Sequence, residues 1–242
     1  MTKLSELKKE SKLKMLVYGD AGTGKTSFSL SAPGPIYVFD FDNKAISAAN
    51  ILSPEAQEQI EVKQYGVTSK EPVPFIRFVK DFNELQNNLD QYKTIVIDSL
   101  TLFAERLMEY CMHSNPGSNR SKIGKVQTPN LKDYGNGTNF FKSTITEILS
   151  TPLNVIFTGH YEQAKDDQTG QIMYVPLIWG NKLAKWLPIV MHEVYFSYLD
   201  SKKTTNQFMM HTRGTSRMMA RSQVKNLPPT MELSFKELEK YL

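Results

Sequence analysis

Gly19-Asp20-Ala21-Gly22-Thr23-Gly24-Lys25-Thr26 reads G-x-x-x-x-G-K-[ST] without a mismatch. Glycines at this spacing let the backbone curl until successive N–H groups face one way, and such a nest at the start of a helix cradles phosphate oxygens. The segment through Ser27 is therefore expected to hold nucleotide phosphates, with Lys25 neutralising β and γ charge and the Thr26 hydroxyl placed for Mg²⁺. A second signal is Thr94-Ile95-Val96-Ile97-Asp98-Ser99, an apolar strand ending in a carboxylate. Asp98 is expected to join Thr26 around the metal, because open α/β sheets place ligands at the C-terminal ends of their strands. The competing role for Asp98 or Ser99 is to cap the following helix. A guanine-reading Asn-Lys-x-Asp motif is missing, since the nearest approach, Asn43-Lys44-Ala45-Ile46, ends in isoleucine.

These groups need strands to carry them. Apolar runs at 14–18, 36–41, 94–98 and 154–158 alternate with helical periodicity at 82–92 and 100–112. That alternation predicts an α/β fold with a mostly parallel central sheet flanked by helices. Strand-like runs at 193–199 and 207–212, joined by a polar segment, predict a C-terminal antiparallel hairpin. Residues 114–133, broken by Pro116 and Pro129, and residues 162–174, with Asp166, Asp167 and Gly170, read as long loops. Residues 233–242 read as a short helix with Phe235, Leu238 and Leu242 on one side.

A length of 242 residues allows one large domain with a substantial core. The single cysteine, Cys111, excludes an intramolecular disulfide framework and a Cys-rich zinc module, and the four histidines lack metal-binding spacing. Residues 1–14 hold five lysines and two glutamates with no apolar stretch behind them, and no apolar run approaches a membrane span. A cytoplasmic protein is expected. The net charge of +4 is unevenly spread: residues 112–132 carry four cations and no acid, and residues 201–227 carry six and no acid. An acidic body with two basic segments is how a polyanion-binding surface, or merely two solvated loops, looks in sequence.

Between the two phosphate-site elements lies Ile36-Tyr37-Val38-Phe39-Asp40-Phe41-Asp42, a strand ending in two carboxylates. With it the chain resembles the RecA-like ATPases, most closely the short RecA-core proteins of bacteriophages, the phage nucleotide-binding or single-strand-annealing ATPase family. The resemblance implies a RecA-like P-loop core over 14–242 behind an N-terminal arm, residues 1–13, with ATP and Mg²⁺ bound. It implies a water-activating carboxylate at Asp42, with Asp40 the competitor, and the family's usual Glu is one methylene longer, which implies either slower hydrolysis, stimulated by single-stranded DNA and oligomerisation, or the need for a partner to complete the site. Asn154-Val155-Ile156-Phe157-Thr158-Gly159-His160 matches the strand that ends in a γ-phosphate sensor, here His160. The loops at 114–133 and 162–174 would then face single-stranded DNA, with Arg120, Lys122, Lys125 and Lys132 neutralising phosphates and Tyr134, Phe140 or Tyr161 stacking bases. The second loop departs from this pattern, with Lys165 alone beside Asp166 and Asp167, and either Phe140 or Phe141 belongs by its spacing to the core. The segment 211–221 lies where relatives reach across a subunit interface to the neighbour's phosphate, with Arg221 the first choice of finger, Arg213 the second, and the family's lysine absent. The implied protein is a homo-oligomeric recombination ATPase, ring or filament, working on single-stranded DNA in a bacterial host's cytoplasm, with a single-strand-binding protein as a candidate partner. Two rivals stand beside it: a nucleotide-gated binding module with negligible turnover, and a small-molecule P-loop kinase using the late basic segment as a lid.

Overall fold

The computed structural model describes residues 12–66, 74–116, 120–123, 126–165, 170–201 and 207–242. In chain order the elements are β1 (Lys14–Gly19), α1 (Lys25–Leu30), β2 (Ile36–Asp40), α2 (Ile46–Ala49), α3 (Pro54–Gln57), β3 (Ile60–Gln64) and α4 (Pro74–Gln86). There follow β4 (Thr94–Asp98), α5 (Leu100–His113), the two-residue strands β5 (Lys122–Ile123) and β6 (Val126–Gln127), α6 (Leu131–Ser150) and β7 (Asn154–Gly159). The chain ends with β8 (Tyr161–Lys165), β9 (Ile172–Pro176), α7 (Asn181–Val190), β10 (Glu193–Asp200), β11 (Gln207–His211), β12 (Thr230–Glu232) and α8 (Phe235–Glu239).

Eight strands form one sheet in the order β12-β11-β10-β1-β7-β4-β2-β3. The six from β10 to β3 are parallel; β11 pairs antiparallel with β10, as the sequence predicts, and β12, which the sequence does not announce, adds a second antiparallel pair at that edge. The order seats β7 between β1 and β4, so the strand ending at His160 lies between the phosphate-loop strand and the Asp98 strand. β1, β2 and β4 are buried along their whole length, which is why their sequences are apolar runs and not alternations.

Two cores sandwich the sheet. The larger packs α4 to α7 through Phe75, Phe78, Phe103, Phe141 and Leu187, and the smaller packs α1 and α8 through Phe28 and Phe235. Phe78 meets Phe39, Phe41, Phe75, Phe82 and Phe103 with ring centroids 5.0 to 5.9 Å apart, mostly tilted or edge-on, the geometry that ring quadrupoles favour.

Three expectations change. Helix α4 runs 74–86, earlier than the expected 82–92, because Pro74 opens it and Phe75, Phe78, Phe82 and Leu85 supply its buried stripe. The stretch 114–133 is shortened as a loop by α6, which Asn130 and Asp133 start as a reciprocal capping box, at 3.0 and 2.9 Å. Residues 162–174 carry the antiparallel hairpin β8–β9. The expected N-terminal arm falls largely on residues outside those described. Among the described residues no helix is long and apolar enough to cross a membrane.

Candidate functional site

The phosphate loop leaves the sheet at Gly19, beside β10. A Cβ at Gly19 would stand 2.1 Å from the Ser197 carbonyl oxygen, so only glycine permits this approach. Gly24 closes the loop with φ +83°, a left-handed conformation, and α1 begins at the next residue. Thr23 Oγ1 shares a 2.8 Å hydrogen bond with Ser197 Oγ, tying the loop to β10. Lys25 Nζ donates to the carbonyl oxygens of Gly19 at 3.1 Å and Asp20 at 2.5 Å. Burial lowers the pKa of this ammonium to about 8, against the opposing pull of Asp98, Asp20 and Asp42.

Asp98 ends β4 beside the loop. Thr26 Oγ1 donates to Asp98 Oδ2 at 2.8 Å, and the Thr158 hydroxyl on β7 donates to Oδ1. Burial pushes the Asp98 carboxyl above its ordinary pKa, opposed by the bonds from Thr158 and Thr26 and reinforced by Asp42 and Asp40. A carboxylate and a hydroxyl in contact, both hard oxygen donors, fit Mg²⁺, and a divalent cation would relieve the charge that burial penalises.

The two carboxylates after β2 part company. Asp40 is fully buried, and its oxygens accept the backbone N–H groups of Lys44 at 3.2 Å and Ala45 at 3.0 Å, which makes it the cap of the turn leading into α2. Beyond Asp40 the chain folds over the end of β4, with Phe41 N donating to Asp98 O at 2.6 Å. That turn delivers Asp42 to Ser99, whose hydroxyl donates to Oδ1 at 2.6 Å. The other oxygen, Oδ2, stands 3.7 Å from His160 Nε2 and 3.8 Å from Lys44 Nζ. Burial raises the Asp42 pKa, but His160, Ser99 and the Lys44 charge outweigh it and hold the carboxyl below its ordinary value. The backbone of His160 is pinned on both sides, its N–H donating to Thr101 Oγ1 at 3.0 Å and its carbonyl accepting from Leu177 N at 2.9 Å. The β8–β9 hairpin is spliced in between His160 and Leu177, whose bond closes its base.

Residues 21–27, Asp42, Asp98, Thr158 and His160 share one cavity of about 310 Å³. A larger cavity, about 450 Å³ between α2 and β3, is mainly apolar and lacks this chemistry.

The expected nucleic-acid residues are placed less uniformly. Arg120 is not free to neutralise phosphate, because its guanidinium is forked onto Asp133 with two 2.8 Å bonds and donates to Met112 O at 3.0 Å. Both side chains are sealed from solvent, at 1% and 0% exposure, although the pair lies at shallow depth. Arg120→Ala is expected to lower the melting temperature by several degrees by stranding the Asp133 charge, with Arg120→Lys recovering little because lysine cannot fork; thermal unfolding beside Lys132→Ala, expected to be neutral, checks this. Lys132 is exposed in the first turn of α6, Lys125 lies outside the described residues, and Lys122 sits on β5 with its side chain outside them. Phe141 is buried, while Phe140 and Tyr134 are 44% and 41% exposed. Tyr161 packs against Tyr174 and Phe196.

Arg221 lies toward the N-terminal end of β10, exchanging backbone hydrogen bonds with Val194 while its guanidinium donates to the Ile189 and Met191 carbonyls at the end of α7. It caps that helix within its own chain. Arg213 and Arg217 are exposed. Thr158, Ser197 and Phe208 join the site with no signal of their own in the sequence; the two-residue period of a strand puts Phe208 and Met210 on one face of β11, but Met209 between them is also apolar and nothing in the sequence ties either face to the loop.

The AAA domain family matches residues 11–224, a stretch that takes in every one of these site residues. The chain belongs to that family. Solved structures similar to this AAA domain include the KaiC-like protein PH0186 of Pyrococcus horikoshii OT3, at 13% identity and a TM-score of 0.45, covering 84% of this chain and 78% of that one. Another is an ATPase from the type III secretion system of pathogenic bacteria, at 11% identity and a TM-score of 0.49, covering 77% of this chain and 52% of that one. No curated protein matches the sequence.

Proposed function

We propose that this AAA domain is a Mg-ATP-dependent, RecA-like recombination protein that binds single-stranded DNA and promotes annealing or strand pairing as a homo-oligomer. The convergence of Lys25, Thr26, Asp98, Asp42 and His160 on one cavity supports the ATPase half of this reading. When bound, Mg²⁺ neutralises charge on the phosphate oxygens, and Thr26 and Asp98 are the residues that would hold it. Lys25 supplies a buried positive charge to the terminal phosphates, and the loop's N–H groups orient them. Asp42, ionised at neutral pH, accepts a hydrogen bond from water and aims it, while His160, close to Asp42 and pinned to α5, senses the terminal phosphate.

The DNA half is supported by the acid-free stretch at 112–132 and by exposed Lys132, Tyr134 and Phe140 on α6, a cation beside two aromatic faces that suit sequence-tolerant single-strand binding. With Arg221 engaged on α7, a finger acting in trans falls to Arg213 or Arg217. The reading is tested by ATP hydrolysis with and without single-stranded DNA over a range of protein concentrations. DNA stimulation that rises faster than linearly with concentration is the expected result. Rates indifferent to DNA and to concentration would favour the kinase or the nucleotide-gated module. Replacing Lys122, Lys125 and Lys132 together by Gln is expected to flatten the salt dependence of single-strand binding by about 2 log units per log unit of salt, from about 0.7 per lost phosphate contact.

A further inference from the structure

The cavity around the phosphate loop has two chemically different sides. On the β7 and β4 side of β1 stand Thr158, Asp98, Asp42 and His160, the groups suited to metal, water and terminal phosphate. On the opposite side lie β10 and β11, where Leu199 and Phe208 are Cα partners. Two residues back along the same ladder Ser197 is paired with Met210, so all four side chains share one sheet face. Ser197 touches Thr23 of the loop, and Met210 packs in the core beneath α1. Leu199 and Phe208 continue that face outward and are 40% and 39% exposed, an apolar pair left half open beside a phosphate cradle.

Phe208 also touches the cradle itself. Three of its ring carbons lie 2.9 to 3.4 Å from where a Cβ would stand on Gly24, so the ring approaches the loop backbone as only a glycine allows. It lines the same cavity as residues 21–27 of the loop. A nucleotide whose terminal phosphate meets Asp42 and His160 must extend its ribose and base away from them, toward β10 and β11.

We propose that Phe208 is the platform on which the base of the bound nucleotide stacks, with Leu199, its partner across the β10–β11 ladder, extending the apolar face beside it. This rests on the nucleotide reading above and adds to it the group that distinguishes a nucleoside triphosphate from bare polyphosphate. Stacking rewards ring area and is indifferent to hydrogen-bond pattern, so Phe208 favours purines over pyrimidines.

The test compares wild type, Phe208→Ile and Phe208→Tyr for calorimetric binding of Mg-ATP, Mg-CTP and Mg-tripolyphosphate, with quenching of an etheno-adenine ATP analogue as a second readout. Isoleucine keeps the strand propensity and the bulk but has no ring. Phe208→Ile is expected to weaken ATP about 5- to 100-fold, to narrow the gap between ATP and CTP, to abolish the quenching and to leave tripolyphosphate affinity unchanged, while Phe208→Tyr keeps ATP affinity and quenching. Wild-type ATP affinity in Phe208→Ile, or equal loss of ATP and tripolyphosphate, overturns the platform and leaves the nucleotide reading standing. A wild-type protein that binds neither ATP nor tripolyphosphate overturns the nucleotide reading, and the platform with it.

Discussion

Asp42→Asn is expected to cut kcat for ATP hydrolysis by about 10²- to 10⁴-fold, the usual contribution of a positioned base, while Mg-ATP affinity changes little. Asparagine keeps the acceptor that Ser99 Oγ addresses at 2.6 Å, so the loop after β2 has no reason to move. What disappears is the negative charge facing His160 and the cavity. A carboxyl held below its ordinary pKa is a weak proton acceptor, which suits Asp42 to aiming water rather than to taking its proton. The control is Asp40→Asn. Its fully buried carboxylate serves two backbone N–H groups, so that substitution is expected to cost about 1–3 kcal/mol of stability and to act on turnover only through folding. Single-turnover hydrolysis and thermal melts of both variants separate the roles, and a well-folded Asp40→Asn protein without turnover would exchange them.

Lys25→Ala is expected to abolish measurable binding of Mg-ATP, with any residual turnover down by about 10²–10³-fold. Removing the ammonium leaves Asp98, Asp20 and Asp42 facing incoming phosphate with no buried cation to offset them. Stability moves the other way. A lysine whose folded-state pKa falls to about 8, from 10.5, is destabilising while it is charged, a penalty that fades as pH rises through that interval. The ligand-free Lys25→Ala protein is therefore expected to melt at or above the wild-type temperature near pH 7, and that advantage should shrink above pH 8. Calorimetric titration with Mg-ATP and melts at pH 7 and 9 check both halves; a variant that binds ATP normally would remove Lys25 from the site.

Much of this was legible in the residues. The phosphate loop and the Asp98 strand announce themselves because their chemistry is local, a nest and a strand end that need no distant partner. The strands β1, β2, β4 and β7 could be read because burial on both faces leaves uninterrupted apolar runs. β3 could not, since it is a largely exposed edge strand whose charged residues resemble a loop. The β8–β9 hairpin hid because Glu162, Gln163 and Lys165 make its first strand too polar to read as one, although the pair is largely half-buried against the core. Asp40 and Asp42 are two residues apart and would share a face in a continuing strand; β2 ends between them, and that break, invisible in sequence, gives one a structural task and the other the cavity. Arg120 looks like a loop cation in sequence because its partner Asp133 belongs to the following helix, and Phe208 carries no signal because its contact with Gly24 exists only once β11 has joined the sheet.

The insertion of β8–β9 between His160 and Leu177 has a thermodynamic corollary. A hairpin that leaves the sheet at His160 and is closed by the His160–Leu177 bond can have its position biased by nucleotide only if its own position biases nucleotide in return. Whatever factor bound ATP applies to the affinity of a ligand gripping that hairpin, the ligand applies to the affinity for ATP, so the coupling can be measured from either end of the same cycle.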